Sequence, residues 1–176
     1  MSAFHKLSIK NYIQETANAV SIVFDVPENL KTNFSYKAGQ YITLKATING
    51  TEIRRAYSIC SAPESGELKV AIKAVEKGVF STYATSQLKV GDLIEVHEPE
   101  GKFMLEPTKS NNYLGIAAGS GITPVLSMIK AVLQQEPSSS FTLIYGNKSS
   151  DETMFKAELD ALSVSYDTRF NLHYVF

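Results

Sequence analysis

Hydrophobic and polar positions alternate over short stretches from residue 5 to about residue 105. This period of two, broken by turn residues, is typical of strands in an antiparallel sheet or barrel. The turns are marked by Asn49-Gly50, Glu64-Ser65-Gly66 and Val90-Gly91-Asp92. The pattern predicts six strands, which suit a small closed barrel. They are Lys6–Tyr12, Ala19–Asp25, Gln40–Ile48, Glu52–Ile59, Leu68–Ala74 and Leu93–Glu98.

The rhythm changes after Pro107, where longer amphipathic stretches separate apolar runs. Before that point, one short helix is predicted from near Ser81 to about Leu88. Beyond it, the order βαβαβ predicts a parallel sheet, with a domain boundary near residues 106–112. The predicted elements are strand Tyr113–Ala118, helix Pro124–Gln135, strand Phe141–Tyr145, helix Glu152–Leu162 and strand Phe170–Phe176.

Composition excludes several classes of function. The net charge is -1, with 17 basic and 18 acidic residues among 176, which leaves no electrostatic footprint for nucleic acid or an anionic membrane. The segment Leu114–Leu133 is too interrupted to span a membrane, and residues 1–10 lack a secretory signal. Cys60 is the only cysteine, which favours a reducing cytoplasm. The three histidines show no metal-ligand spacing, so no metal site is predicted.

The segment Arg55-Ala56-Tyr57-Ser58 lies near the end of a predicted strand, where Arg55, Tyr57 and Ile59 share one face. A guanidinium can pair with phosphate, a phenol ring can stack on a planar heterocycle, and a hydroxyl can bond at that ring's edge. Together these groups would suit a flavin nucleotide. They would equally suit an ordinary barrel strand with an exposed arginine and a half-buried tyrosine.

The segment Gly78-Val79-Phe80-Ser81 places a glycine just before the predicted helix start. Such a glycine leaves room for backbone N–H groups to approach an anion, and Ser81 could contact phosphate directly. Lys73, at the end of the preceding strand, adds a positive charge. The alternative makes Ser81 a plain N-cap, Gly78 a plain turn residue and Lys73 a solvated lysine.

The hexapeptide Gly119-Ser120-Gly121-Ile122-Thr123-Pro124 lies between a predicted buried strand and a helix with proline in its first turn. The placement permits a pyrophosphate to approach the helix N-terminus, although the spacing is not GxGxxG. Thr123 could be an N-cap, a phosphate ligand or both. A tight strand-to-helix turn would explain the glycines but not the whole hexapeptide.

The segment Tyr145–Ser150 follows the second parallel strand, where an adenine ribose lies in folds of this kind. A carboxylate there would favour the ribose diol of NAD, whereas this segment offers Lys148 and hydroxyls that can hold a 2′-phosphate. The segment therefore favours NADPH over NADH. An ordinary surface-loop lysine is the alternative.

Taken in order, the four segments resemble the ferredoxin–NADP⁺ reductase superfamily over residues 5–176. Lys73 with Gly78–Ser81, and Asp151–Leu162 with its Met154-Phe155 pair, look closest to reductases of bacterial multicomponent oxygenases. The resemblance implies a six-stranded antiparallel Greek-key flavin-binding barrel followed by a partial parallel α/β nucleotide-binding domain. The implied domains are an FAD-binding domain at residues 1–108 and part of an NAD(P)-binding domain at residues 109–176.

The resemblance also implies a role for each motif. Arg55 would hold a flavin phosphate, Tyr57 would stack against the isoalloxazine ring, and Ser58 would bond near flavin N5. Tyr57 and Ser58 would orient and tune the flavin without acting as acids or bases. The other implied contacts are the amides of Val79 and Phe80 with Ser81 for the FAD pyrophosphate, Gly119, Ser120, Gly121 and Thr123 for the NADP pyrophosphate, and Asn147 and Lys148 for the 2′-phosphate.

The implied activity is hydride transfer from NADPH, or alternatively NADH, to FAD. Electrons would then pass singly to ferredoxin or another iron–sulfur centre, as in an oxygenase system. Family members continue with a Cys-Gly-Pro motif and often a four-cysteine 2Fe–2S domain, which this sequence lacks. We therefore expect a truncated chain with weak NADPH oxidation. The alternatives are a stand-alone ferredoxin or flavodoxin reductase and a flavin-binding electron-transfer or docking subunit without NADPH activity.

Overall fold

Two β-sheets organise the protein, whose structure is a computed structural model describing residues 4–108 and 110–176. The first sheet has six antiparallel strands, and the second has three parallel strands. The predicted antiparallel barrel followed by a parallel α/β unit is therefore confirmed. The boundary predicted between residues 108 and 109 involves Lys109, which lies outside the described residues, as do residues 1–3.

The first sheet runs in the order β4-β3-β6-β1-β2-β5. The predicted Asn49-Gly50 turn joins β3 to β4, and both of its residues have positive φ, at 50° and 77°. β1 is longer than predicted because two neighbours share it: Phe4–Ser8 pairs with β6, and Ser8–Thr16 pairs with β2. The strands are β1 Phe4–Thr16, β2 Ala19–Asp25, β3 Tyr41–Ile48, β4 Thr51–Ser58, β5 Leu68–Lys73 and β6 Leu93–His97.

The sheet closes on itself between β4 and β5, which stand at opposite ends of the strand order. The closing contact is short: Ile59 forms an antiparallel bridge with Val70, and the Cys60 N–H donates to the Lys69 carbonyl at 2.8 Å. Helix α1, residues Val79–Ser86, packs into the same barrel core through Phe80. The barrel therefore has a weakly paired seam beside a helix.

The second sheet has the order β7-β8-β9, with every neighbouring pair parallel. One helix connects each strand to the next, as the periodicity predicted. The elements are β7 Asn112–Ala118, α2 Ile122–Gln135, β8 Ser140–Gly146, α3 Lys156–Ser165 and β9 Phe170–Val175.

Both connecting helices pack on the same face of this sheet, where they share a core with Phe141, Leu143 and Tyr145. On the opposite face, the side chains of Leu114 and Ile116 are 64% and 72% exposed. The expectation that β7 is a buried strand was therefore wrong on this face. An apolar run suits burial on both faces, but the described residues supply helices to one face only.

Helix α3 begins four residues later than the predicted Glu152. Phe155, the residue before it, has a left-handed backbone with φ of 59°, which interrupts a continuous helix. The Thr153 hydroxyl donates to the Ser149 carbonyl at 2.9 Å and holds the preceding turn. Phe155 is buried, so packing fixes this conformation.

Within residues 4–108 and 110–176, no helix is long and apolar enough to cross a membrane.

Helix α2 rests on the barrel over small residues. Ala19, Cys60 and Ala71 of the barrel share a core with the buried apolar side chains of this helix. At Gly39, an added Cβ would lie 2.4 Å from the Met128 methyl group and 2.3 Å from the Phe103 carbonyl oxygen. The barrel backbone and the helix therefore approach closely.

One buried hydrogen bond crosses this contact. The Ser127 hydroxyl of α2 donates to the Ser61 carbonyl of the barrel at 2.6 Å, and both residues are at most 2% exposed. If a buried carbonyl loses its hydrogen-bond donor, the free-energy cost of removing it from water is no longer offset. The bond therefore joins the two halves of the chain.

We expect Ser127→Ala to lower the free energy of unfolding by about 1–3 kcal/mol, because the Ser61 carbonyl is left buried and unpaired. Urea unfolding followed by circular dichroism measures this loss. The control is Ser165→Ala at the exposed end of α3, where a change within about 0.5 kcal/mol is expected. Equal destabilisation by both substitutions would contradict the assignment.

Candidate functional site

A cleft of about 320 Å³ lies between β4 and β5, beside α1 and the start of α2. Most residues that the sequence analysis singled out meet here, although they come from four separate segments. The sequence did not indicate Ala71 or Val75, which have no reactive group and carry no motif. The lining residues are Arg55, Ala56, Tyr57, Ser58, Ala71, Lys73, Val75, Gly78, Phe80, Ser81, Ser120 and Thr123.

The β4 wall of the cleft includes consecutive residues from Arg55 to Ser58. Consecutive strand residues point to opposite faces, so the predicted period-two face explains only half of this wall. β4 ends the strand order at the seam, and a cleft that follows a strand edge meets residues of both faces. Arg55 is exposed, and its Nη1 donates to the Arg54 carbonyl at 2.7 Å.

Tyr57 gives the cleft an aromatic surface. Its ring centroid lies 5.8 Å from that of Phe80, with the planes tilted by 36°. Burial raises the pKa of the Tyr57 phenol to about 12, although the nearby Arg55 cation lowers it in part. The phenol is therefore neutral at physiological pH and presents an uncharged ring to the cleft.

Helix α1 begins at Val79, two residues earlier than predicted, because Gly78 takes the N-cap position. Ser81 is thus not an N-cap, as one alternative had it. Its hydroxyl oxygen accepts the Val75 N–H at 3.2 Å and donates to the Gly78 carbonyl at 3.2 Å. The first backbone N–H groups of a helix lack intrahelical partners, so this turn offers hydrogen-bond donors at the cleft.

The glycine turn also differs from its prediction. Residues Gly119–Gly121 form a single 3₁₀ turn, and α2 follows directly from Ile122 rather than from Pro124. The Gly119 backbone has a φ of 51°, in the left-handed region that glycine adopts without steric cost. The Tyr145 hydroxyl donates to the Gly119 carbonyl at 3.0 Å and fixes the turn against β8.

Thr123 lies inside the first turn of α2 and not at its N-cap, which is Gly121. Its hydroxyl donates to the Ser120 carbonyl at 3.0 Å. Ser120 and Thr123 both reach the cleft lining, whereas Gly119 and Gly121 do not. Apart from the adjoining residues of the chain, no atom of the described residues lies within 4 Å of a Cβ placed on either glycine, so the space beside the turn is open.

Lys73 lines the cleft but its charge is already paired. Its ammonium lies 3.1 Å from the Glu152 carboxylate, which belongs to the turn before α3. No local sequence pattern indicates this contact, because the two residues are separated by 79 positions. The predicted positive partner for a phosphate therefore has a competing carboxylate.

Asn147 and Lys148 lie outside the cleft lining, at the end of β8. The Asn147 N–H donates to the Val175 carbonyl at 2.8 Å. Its side-chain Nδ2 and Oδ1 are buried and make no hydrogen bond within 3.5 Å among the described residues, although the Asn147 side chain is close enough to the Tyr145 phenol to lower its pKa in part. A buried amide without a partner is unusual in a folded protein and indicates a position for a polar ligand or water. Lys148 is exposed.

Comparison with known protein families accounts for both sheets. Residues 6–105 match the oxidoreductase FAD-binding domain, and residues 116–176 match the oxidoreductase NAD-binding domain. The chain belongs to this oxidoreductase family. The resemblance to the ferredoxin–NADP⁺ reductase superfamily, which the motifs indicated, is confirmed.

Individual relatives agree with the family. The chain is 45% identical to one of the subunits of the 1,2-phenylacetyl-CoA epoxidase of Escherichia coli, over 100% of this chain and 50% of the relative. It is 35% identical to the ferredoxin reductase component of 3-ketosteroid-9-alpha-monooxygenase from Rhodococcus rhodochrous, over 93% of this chain and 46% of the relative. The chain thus spans about half the length of the curated relatives it matches.

A solved structure extends the agreement to three dimensions. Ferredoxin-NADP⁺ reductase from Plasmodium falciparum, solved with 2′P-AMP, superimposes with a TM-score of 0.85 at 26% identity. The match covers 98% of this chain and 73% of that structure. The order of barrel and α/β unit is therefore that of the family.

The two motif glycines Gly78 and Gly121 should respond differently to alanine. A Cβ at Gly78 would lie 2.3 Å from the Ser81 hydroxyl and 2.5 Å from the Val75 side chain. We expect Gly78→Ala to lower the free energy of unfolding of the ligand-free protein by about 1–3 kcal/mol, because the turn must shift.

Gly121→Ala is the matched control, since this glycine has φ of -63° and open space around its Cβ position. We expect it to leave the free energy of unfolding unchanged or to raise it by up to about 1 kcal/mol. Thermal and urea unfolding give both values. A Gly78→Ala protein as stable as the wild type would contradict a steric requirement for glycine at this turn.

Proposed function

We propose that the chain binds FAD in the cleft and acts as a flavin-dependent reductase that takes electrons from NADPH. The observation that carries this proposal is the convergence of Arg55, Tyr57 and Ser58 with Gly78, Phe80 and Ser81 on one cleft. We propose FAD-binding residues 1–108 and NAD(P)-binding residues 109–176 as the two domains. The family matches over 6–105 and 116–176 support that division.

The residues of the cleft fit a flavin nucleotide chemically. The exposed Arg55 guanidinium can pair with a phosphate, and the neutral Tyr57 ring can stack on a planar heterocycle. The start of α1 adds backbone N–H donors from Val79 and Phe80, and the close contacts of Gly78 leave no room for a side chain at the turn. A cleft with cationic side chains, an aromatic face and a helix N-terminus suits an anionic aromatic cofactor.

Bound FAD would supply the exchange between two-electron and one-electron transfer. The protein residues would position the ring system. Tyr57 would hold one face of the ring, because its own ring is fixed by burial against Phe80. Ser58, adjacent in the lining, would donate to the ring edge. Neither residue needs to exchange a proton in this role.

The NADPH would lie across the start of α2. Ser120 and Thr123 border the cleft, and the open space beside Gly119 and Gly121 leaves room for a pyrophosphate close to the helix N-terminus. The buried amide of Asn147, which makes no hydrogen bond within 3.5 Å among the described residues, supports a polar ligand at the end of β8. The adjacent exposed Lys148 supports a 2′-phosphate there, and hence NADPH over NADH.

We infer that the electrons pass to ferredoxin or another iron–sulfur centre, as part of a cytoplasmic oxygenase system of the phenylacetyl-CoA type. The names of the relatives support this inference, since one belongs to phenylacetyl-CoA epoxidase and one is a ferredoxin reductase component of a monooxygenase. The buried free thiol of Cys60 agrees with a reducing compartment.

FAD binding tests the first part of the proposal. When FAD is titrated with the purified protein, flavin fluorescence should be quenched, and the quenching should be complete at one FAD per protein chain. Arg55→Met should weaken binding by about 1.5–3 kcal/mol, the usual contribution of a hydrogen bond to a charged group. The control is Arg54→Met, because Arg54 pairs with Glu52 and does not line the cleft.

Failure of the wild-type chain to bind FAD would contradict the proposal. Equal loss of FAD affinity in Arg54→Met and Arg55→Met would remove the assigned role of Arg55.

The preference for NADPH can be tested without turnover. We expect the chain to bind 2′,5′-ADP more tightly than AMP. Lys148→Ala should reduce the ratio of these two affinities by about tenfold, because one charged contact to phosphate is lost. Isothermal titration calorimetry gives both affinities. Lys156→Ala is the control, because the Lys156 ammonium is paired with Asp160 at 2.7 Å. An unchanged ratio in Lys148→Ala would remove the support for NADPH.

A further inference from the structure

Two lysines of β5 face two glutamates from the second half of the chain. Lys69 and Lys73 are four residues apart, so they share one face of the strand. The Lys73 ammonium lies 3.1 Å from Glu152, and the Lys69 ammonium lies 3.9 Å from Glu158. Both are lysine–glutamate ion pairs, and both join the barrel to the α/β unit.

The Lys69 pair is enclosed by other groups. The Lys69 ammonium also lies 3.8 Å from a Glu15 oxygen and 5.1 Å from the Phe155 ring centroid. Glu158 pairs in turn with Lys130. The Lys69 side chain is 12% exposed, and it does not line the cleft. This pair therefore belongs to a network that holds the two halves together.

The Lys73 pair has fewer charged partners than the Lys69 pair, and its lysine is more exposed to solvent. Glu152 is the one carboxylate within 4.0 Å of the Lys73 ammonium in the part of the chain that the structure describes. Lys73 lines the cleft beside Ser81 and Thr123, whereas Glu152 does not. The two side chains are 21% and 38% exposed. A partly exposed ion pair contributes little to stability, so its loss costs the protein little.

We propose that Glu152 competes with the phosphate groups of the bound nucleotide for Lys73. In the ligand-free protein the carboxylate holds the ammonium at the rim of the cleft. A phosphate-bearing ligand in the cleft brings a second anion to the same ammonium and draws it from Glu152. The inference rests on the proposed function of the cleft as the FAD site.

Selectivity among flavins follows from this competition. Glu152 lowers the affinity of the cleft for ligands that carry phosphate and leaves the affinity for ligands without phosphate unchanged. FAD and riboflavin share the same ring system, but only FAD carries the pyrophosphate. The ratio of their affinities therefore isolates the effect at Lys73, and it also cancels any loss of folded protein in a variant.

The test is a fluorescence titration of FAD and of riboflavin with the wild type, Glu152→Gln, Lys73→Met and the double variant. In Glu152→Gln, we expect FAD to bind about two- to fivefold tighter, the range of a partly exposed ion pair, with riboflavin unchanged. In Lys73→Met, FAD should bind more weakly. Addition of Glu152→Gln to Lys73→Met should then have no further effect, because the contested cation is gone.

Glu158→Gln is the matched control, since it removes the same charge from the pair that does not line the cleft. We expect it to lower stability and to leave the ratio of FAD to riboflavin affinity unchanged. An unchanged ratio in Glu152→Gln, or an equal increase in Glu158→Gln, would overturn the inference while FAD binding by the wild type stands. A wild-type chain that binds no FAD would overturn the proposed function and this inference with it.

Discussion

The closing seam of the barrel, between β4 and β5, is the constraint on which the candidate site depends. Six antiparallel strands fill a core through alternating side chains, and the two end strands then meet over only a short stretch, at Ile59 and Val70. Beyond that bridge, the edges of both strands are free to face a common space. Helix α1 covers one end of it with Phe80, which also fills the barrel core. The cleft is thus a product of how the sheet closes.

Much of this architecture could be predicted from the sequence, because local rules dominate it. Asn49-Gly50 forms its turn since both residues tolerate positive φ. The glycine turn at residues 119–121 was identified by its position between an apolar run and an amphipathic stretch. In each case a short segment indicates its own turn, so its position can be predicted without knowledge of distant residues.

The remaining features depend on contacts between distant segments. The late start of α3 follows from the burial of Phe155, which imposes a backbone that its local sequence does not favour. The pairing of Lys73 with Glu152 joins a barrel strand to the turn before α3. The wall formed by consecutive β4 residues arises from the seam and not from strand periodicity. The exposed face of β7 depends on which side the helices pack.

The small residues beneath α2 have a consequence for the cleft. This helix begins at one wall of the cleft and rests on Ala19, Cys60 and Ala71, with Gly39 touching its Met128 side chain. Alanine and glycine have no side-chain rotamers to adjust and cysteine has a single short one, so backbone atoms largely set the separation of helix and barrel. The two walls of the cleft then stand at a fixed spacing. We therefore expect the spacing between α2 and the barrel to change little when a ligand enters the cleft.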